Sequence, residues 1–184
     1  MKKLVVFTAC TILATAMQAA TVGWGLTGAN SYANDAYQFF VIGQNGATDI
    51  ATITALLDAG TDTSSYAFGS GKIGATGLAT VGAGASGKTL DAGTYTGFFV
   101  VFDNASPAVG SANYAVVSGA ANLTKTIAPN TATITFSAGS AASTLNDTSN
   151  WKSFGPTGGG VPEPTSGLLL LVGGAMLALR RKQK

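Results

Sequence analysis

The sequence predicts an all-β protein. We expect a single antiparallel β-sandwich with one short helix near residues 49–58, between an N-terminal signal helix and a C-terminal membrane helix. Stretches rich in aromatic and β-branched residues recur along the chain, and Gly, Asn, Asp or Pro bounds them. Charged residues make up 10% and hydrophobic residues 46% of the 184 residues, which argues against a charge-rich disordered chain.

The first 20 residues are typical of a secretory signal peptide. Two lysines precede an apolar run over residues 4–13, and small residues follow it. The run is shorter than the roughly 20 residues that cross a bilayer, so we expect signal peptidase to cut between Ala16 and Ala20. The apolar run continues past Cys10, so a lipoprotein signal is not predicted.

Five stretches predict the principal strands of the body, which we place at residues 21–154. Thr131–Ser137 alternates apolar and polar residues, as a half-buried strand does. Thr94–Asp103 is almost continuously apolar over residues 95–102, so we expect it at the centre of a sheet. The other three are Thr21–Leu26, Ala36–Gly43 and Ala112–Ser118, and shorter strands are predicted at Ser65–Phe68, Leu78–Val81 and Leu123–Ile127.

One helix competes with the strands. Asp49 suits its N-cap, Gly60 follows its end, and apolar residues between them share one face. Repeated threonines favour a strand in the same segment, so both alternatives stay open.

The predicted core of the body is rich in aromatic side chains. It consists of Trp24, Phe39, Phe40, Phe98, Phe99, Val100, Phe102, Tyr114, Val116, Ile134 and Phe136.

A linker and a short apolar helix are predicted after the body. Residues 155–164 are rich in Gly and Pro, which is typical of a flexible linker. Residues 165–179 are fifteen in number, and as a helix they span about 23 Å of a roughly 30 Å hydrocarbon core. Four of the last five residues are cationic, and such side chains reach the headgroups and hold their end on the cytoplasmic side. We therefore predict a membrane helix and basic tail over residues 165–184, with the body outside the cytoplasm.

This C-terminal segment resembles the PEP-CTERM sorting signal. Val161-Pro162-Glu163-Pro164, a short apolar helix and a basic tail stand in that order. The resemblance implies recognition by an exosortase, a membrane-embedded transpeptidase-like enzyme, with cleavage near the motif and delivery to the cell surface or extracellular matrix. The tail is also similar to the segment named ice-binding protein C-terminal domain, a name that concerns the tail alone. By this resemblance, the recognition triplet would be Pro162, Glu163 and Pro164, and the residues that retain the chain in the cytoplasmic membrane would be Arg180, Arg181 and Lys182.

Missing residue types exclude several kinds of chemistry. The chain has no His, so it can form neither a Ser-His-Asp relay nor an imidazole metal site. The only cysteine, Cys10, would leave with the signal peptide. Residues 21–160 lack Arg and Glu, and their four Lys and seven Asp give a net charge of −3, which excludes a basic nucleic-acid-binding surface. We therefore predict no enzymatic activity, no cofactor and no metal site.

One segment imitates a nucleotide-binding motif. Gly82–Thr89 matches the phosphate-loop pattern G-x-x-x-x-G-K-[ST], and Asp103 follows an apolar run as a magnesium ligand would. A phosphate loop needs a helix that starts there and directs its N–H groups at the phosphates. Residues 90–97 contain two Gly and a β-rich run instead, so we predict a Gly-rich hairpin loop. Asp58 and Asp62 lack the spacing of a calcium loop, and we expect solvated turn carboxylates there.

The sequence therefore indicates an exported, non-enzymatic protein with a structural or adhesive body. The alternative is a glycan-binding module for extracellular polysaccharide, in which exposed aromatic side chains stack on sugar rings. A further alternative is an ice-active surface, because rows of threonine can order water. The aromatic candidates are Tyr32, Tyr37, Tyr66 and Trp151, and Thr-x-Thr begins at Thr52, Thr94, Thr124, Thr131 and Thr133.

Overall fold

Strands form where the sequence concentrates aromatic and β-branched residues. A computed structural model describes residues 18–156, which fold into two β-sheets with one longer helix packed on the larger sheet. The strands are β1 Ala20–Thr27, β2 Ala36–Val41, β3 Gly69–Lys72, β4 Ala79–Val81, β5 Thr89–Leu90, β6 Gly93–Phe102, β7 Asn113–Val117, β8 Thr124–Ile127, β9 Thr133–Ser140 and β10 Trp151–Ser153. The α-helices are α1 Ile50–Asp58, α2 Ala83–Ser86 and α3 Ala142–Leu145, and 3₁₀ turns lie at Asn30–Tyr32, Ala121–Leu123 and Thr148–Asn150.

β1 is the central strand of the smaller sheet. β4 and β5 pair antiparallel with two successive parts of β1, and β9 runs along its other edge. β9 is parallel to β1, with Thr133 beside Thr21 and Phe136 beside Trp24. The prediction of a purely antiparallel sandwich is therefore wrong at this pair. No hairpin turn joins two strands so distant in the chain, so nothing local imposes an antiparallel direction.

The larger sheet has the strand order β10–β7–β6–β2–β3, and all its neighbours are antiparallel. β6 is its central strand, as predicted. β2 pairs with Gly97–Val101 of β6 and β7 with Phe99–Phe102, while the first four residues of β6, Gly93–Thr96, pair with β8. Both faces of β6 are covered, which explains why its sequence is apolar almost without interruption.

The two sheets face each other across an aromatic core. Side chains at every second position of β1 are buried in it. Phe39 of β2 is fully buried at its centre, and the centroid of its ring lies 5.3 Å from that of Trp24, 4.8 Å from that of Phe99 and 5.6 Å from that of Phe136. Because Trp24 and Phe136 belong to the smaller sheet, these contacts join the two sheets.

A second core lies on the outer face of the larger sheet, beneath α1. The rings of Phe40 and Phe98 stack there with their centroids 4.9 Å apart. Ile53 and Leu57 of α1 are fully buried in the same cluster. Asp49 caps the helix, since its carboxylate accepts a hydrogen bond of 2.6 Å from a backbone N–H in the first turn. Of the two alternatives that the sequence leaves open for residues 49–58, helix and strand, the structure has the helix.

Some predicted strands and core positions differ from the structure. Ser65–Phe68 is not a strand, because the chain turns there and β3 begins at Gly69. β3 contains no residue with a strong β-propensity, and its strand conformation depends on pairing with β2. Gly69 lets β3 approach the Trp24 ring, which a Cβ at this position would overlap. Of the eleven predicted core residues, Val116 and Ile134 are only half-buried, and the other nine are buried in one of the two cores.

Tyr114 of β7 connects the larger sheet to α1. Its buried hydroxyl donates a 2.6 Å hydrogen bond to the carboxylate of Asp58, the last residue of the helix. Burial is the main cause that raises the pKa of Tyr114, and the bond to Asp58 raises it further. The folded protein therefore holds this proton more tightly than the unfolded chain does. The protonated Tyr114 hydroxyl therefore stabilises the folded protein fully up to about pH 10, the ordinary tyrosine pKa, and this contribution declines as the pH rises further.

Replacing Tyr114 by phenylalanine should lower the free energy of unfolding by about 1 kcal/mol near neutral pH, because the hydrogen bond to Asp58 is lost. The same change should reduce the decline in stability at alkaline pH, although burial also raises the pKa of Tyr37 and leaves part of that decline. Urea unfolding at about pH 8 and about pH 11 measures both effects. The control is Tyr66→Phe, at a half-buried tyrosine in the turn before β3. An alkaline decline that is the same in Tyr114→Phe and wild type would contradict the assignment.

Candidate functional site

A groove of about 430 Å³ lies between β3 and α2, with walls from both sheets. The ammonium group of Lys88 stands 5.9 Å from the centroid of the Phe68 ring. The rings of Trp24 and Phe68 line the groove but are only 3% and 5% exposed. Three serine hydroxyls line it as well, from Ser64, Ser70 and Ser86. The Ser64 hydroxyl already donates to Asp62 and that of Ser86 to the backbone oxygen of Val22. The groove therefore offers one cation and the Ser70 hydroxyl as donors to a small polar or anionic ligand, and it gives little open aromatic face for stacking.

The segment that matches the phosphate-loop pattern forms one wall of this groove. α2 begins at Ala83, inside the pattern, and lasts for a single turn, after which Gly87 has φ +64° and the chain enters β5 at Thr89. No helix starts at the end of the pattern, so its N–H groups do not converge on a phosphate position. The predicted hairpin is wrong, because β4 and β5 pair with β1 and not with each other. The segment connects two strands that lie along the same edge of β1.

The four aromatic residues predicted for sugar stacking do not share one exposed surface. Tyr37 is 3% exposed, and its hydroxyl accepts a hydrogen bond of 3.3 Å from the Trp24 indole. Tyr32 and Trp151 are half-buried and stack on each other, with their centroids 4.8 Å apart. Both also donate to the backbone oxygen of Leu145. These rings serve packing, so the prediction that Tyr37 is exposed is wrong.

The carboxylates of the body make mainly local structural contacts. Asp62 accepts hydrogen bonds from the N–H and the hydroxyl of Ser64, both at 2.9 Å. Asp35 is half-buried, and burial, followed by the charge of Asp103, raises its pKa. Within residues 18–156 no three His, Cys, Asp or Glu residues are grouped as metal ligands. The aspartates that accept a hydrogen bond from a cap, a turn or a neighbouring strand are Asp49, Asp58, Asp62, Asp103 and Asp147.

Two of the predicted Thr-x-Thr pairs lie side by side. Thr94 and Thr126 face each other across β6 and β8 with their hydroxyls 3.1 Å apart, and Thr96 and Thr124 repeat this spacing. These four residues form a small hydroxyl-rich patch on the outer face of the larger sheet. Thr52 is separate from it, because it lies in α1.

The predicted sorting residues lie outside residues 18–156, together with the predicted signal peptide's first 17 residues and the predicted membrane helix. Within the described part of the chain, no helix is long and apolar enough to cross a membrane. Comparisons with protein-family models, with curated proteins and with solved structures find no match for this chain. The sorting residues concerned are Pro162, Glu163, Pro164, Arg180, Arg181 and Lys182.

Proposed function

We propose that this chain is an exported, non-enzymatic protein of the cell surface or extracellular matrix, sorted through its C-terminal segment. The observation that carries the proposal is the order of three features: the Pro162-Glu163-Pro164 triplet, the apolar residues 165–179 and the terminal block of cations. In this order they resemble the PEP-CTERM signal. The cations keep the end of the segment at the cytoplasmic side, while the exported body lies on the other side of the membrane.

The start of the folded body is compatible with removal of the signal peptide. Ala20 is the first residue of β1, is fully buried and pairs with Leu90 of β5. A cut after Ala16 leaves β1 whole, whereas a cut after Ala20 would remove one of its paired residues. The small-x-small pattern at residues 14–16 therefore supports the earlier of the possible cleavage positions.

The contacts of the body support a structural or adhesive role. Five of its seven aspartates are used for helix caps, turns and contacts between elements, so they are already engaged where a catalytic carboxylate would need to be free. Its aromatic residues are concentrated in two cores that join the sheets and attach α1. This arrangement favours a rigid unit that is displayed on a surface or built into extracellular polymer.

Replacing Pro162, Glu163 and Pro164 together by alanine should stop delivery, because the sorting enzyme would lose the residues that it reads. We expect the variant to accumulate in the cytoplasmic membrane with its C-terminal segment uncut. Fractionation of the native host, followed by mass spectrometry of both chain ends, measures this. The control is Pro156→Ala, which changes a proline upstream of the triplet. Normal delivery of the triple variant would contradict sorting through this segment, and full-length wild-type chain in the cytosol with both ends uncut would contradict export.

The groove between β3 and α2 favours a glycan-binding module as a second candidate function. Lys88 and the Ser70 hydroxyl provide donors suited to sugar hydroxyl or carboxylate groups, and this chemistry replaces the aromatic stacking that the sequence predicts. Binding of the body to a glycan array distinguishes the two functions. Saturable binding that Lys88→Ala removes, and that Lys72→Ala on β3 retains, would favour the glycan-binding module.

A further inference from the structure

Two grooves beside β10 meet at the side chain of Lys152. One has a volume of about 520 Å³ and lies between α1 and the strands β7 and β10, and the other, of about 500 Å³, extends from β10 to Pro156. Among the residues that line them, Lys152 is the only cation and Asp58 the only anion. The carboxylate of Asp58 already accepts a hydrogen bond of 2.6 Å from the Tyr114 hydroxyl. The grooves therefore offer the exposed ammonium group of Lys152 to an acidic partner.

The larger of the two grooves also has an apolar wall. Ile50 of α1 and Val116 of β7 line it, and both remain half-buried although they pack against the core beneath α1. Val116 points to the same face of the sheet as Tyr114, which is the residue opposite Lys152. The apolar wall therefore lies diagonally beside the ammonium group. A partner that fits both features carries one carboxylate next to compact apolar residues.

The C-terminal segment of this chain has that composition. Val161-Pro162-Glu163-Pro164 contains one carboxylate among three apolar residues, and Glu163 is the only glutamate of the chain. Each proline fixes one backbone dihedral angle before any contact is made. Binding of such a segment therefore costs less conformational entropy than binding of an ordinary flexible peptide.

The place where the described body ends brings this segment within reach. Pro156 is the last described residue and itself lines the smaller groove. It follows Lys152 by four residues, so the two Cα atoms are at most about 14 Å apart. Glu163 follows Pro156 by seven residues, which span up to about 23 Å when extended, and the three consecutive glycines among them allow the chain to reverse. A tether this short corresponds to an effective concentration in the millimolar range, so contacts that are weak between separate molecules become occupied.

We propose that residues 161–164 fold back onto these grooves, with the carboxylate of Glu163 paired with the ammonium group of Lys152 and the adjacent prolines against the apolar wall. The occupant of the grooves is thus a segment of the same chain. The fold-back holds the body beside the start of the predicted membrane helix, and only this consequence rests on the proposed function. The pairing itself requires neither export nor sorting.

Hydrogen exchange of the full chain, purified in detergent, tests the fold-back. The backbone amides of residues 158–161 should exchange about fourfold more slowly in wild type than in Lys152→Glu, which corresponds to about three-quarters of the wild-type chains being docked. Combining Lys152→Glu with Glu163→Lys should restore the slow exchange, because the two charges are then swapped. Lys72→Glu is the matched control and should exchange as wild type does, because Lys72 is an exposed lysine on β3, at the opposite edge of the same sheet.

Three results would overturn the proposal. The first is equally fast exchange in wild type and Lys152→Glu, and the second is a charge swap that leaves the exchange fast. The third is slow exchange that appears only in anionic lipid vesicles and persists in Glu163→Gln, which would mean that Lys152 faces lipid headgroups. Sorting is measured separately: an undocked segment in a sorted chain contradicts only the fold-back, and a docked segment in a chain that is delivered normally without the triplet contradicts only the proposed sorting.

Discussion

Phe39→Ala is expected to lower the free energy of unfolding by about 4 kcal/mol. Phe39 is fully buried, and its ring contacts Trp24 and Phe136 of the smaller sheet as well as Phe99 of its own sheet. The substitution leaves a cavity at the point where the two sheets meet. Since a domain is stable by only about 5–15 kcal/mol, we expect a large share of the stability to be lost.

Urea unfolding of residues 18–156, followed by circular dichroism and tryptophan fluorescence, measures this loss. This fragment contains every residue of both cores. Leu78→Ala is the control, because Leu78 is 45% exposed and truncation there should cost less than about 0.5 kcal/mol. If the two substitutions cost the same, Phe39 does not lie at the contact between the sheets.

The sequence predicts burial better than it predicts which layer provides that burial. The uninterrupted apolar run of β6 indicates a strand with both faces covered, and the structure confirms it. One face packs on the smaller sheet and the other on α1. The run alone could not show that a helix covers the second face, because a helix and a second sheet bury the same apolar side chains equally well.

Alternation within β2 could have corrected one part of the aromatic prediction. Tyr37 has the same parity as Phe39, so the two side chains point to the same face of the sheet. Once Phe39 is assigned to the interior, Tyr37 must face the interior too, as it does. By contrast, the stacking of Tyr32 on Trp151 joins positions far apart in the chain, and no local pattern indicates it.

Pairing between distant or weakly β-forming segments is the part that the sequence could not provide. Gly69–Lys72 becomes a strand because β2 offers it a partner, and β9 runs parallel to β1, to which no hairpin turn joins it. The sequence after Gly82–Thr89 favours strands over a helix, which is why the phosphate-loop pattern there does not predict a nucleotide site. The predicted sorting triplet would be read as a linear signal, so its prediction does not depend on the fold.

Gly97→Ala is expected to destabilise the protein by about 2 kcal/mol, through overpacking of the interior core. Gly97 lies in β6, and a Cβ built there would stand 2.7 Å from Cε2 of Phe39 and 3.3 Å from Cδ1 of Phe136. Neither ring can retreat freely, because Phe39 is enclosed by Trp24 and Phe99. Glycine at this position therefore makes room for an aromatic ring, which is a common reason for glycine inside a strand.

A double-mutant cycle identifies the ring as the cause. Phe39→Leu removes the atoms that the new methyl group would meet, so Gly97→Ala should cost less in the Phe39→Leu background than in wild type, with a coupling of about 1 kcal/mol. Gly84→Ala is the control, because no atom lies within 4 Å of a Cβ there, and alanine in this helical turn should raise the stability by up to about 1 kcal/mol instead of lowering it. Additive effects of Gly97→Ala and Phe39→Leu would show that the methyl group does not meet the ring, and the close approach of β6 to Phe39 would then be wrong.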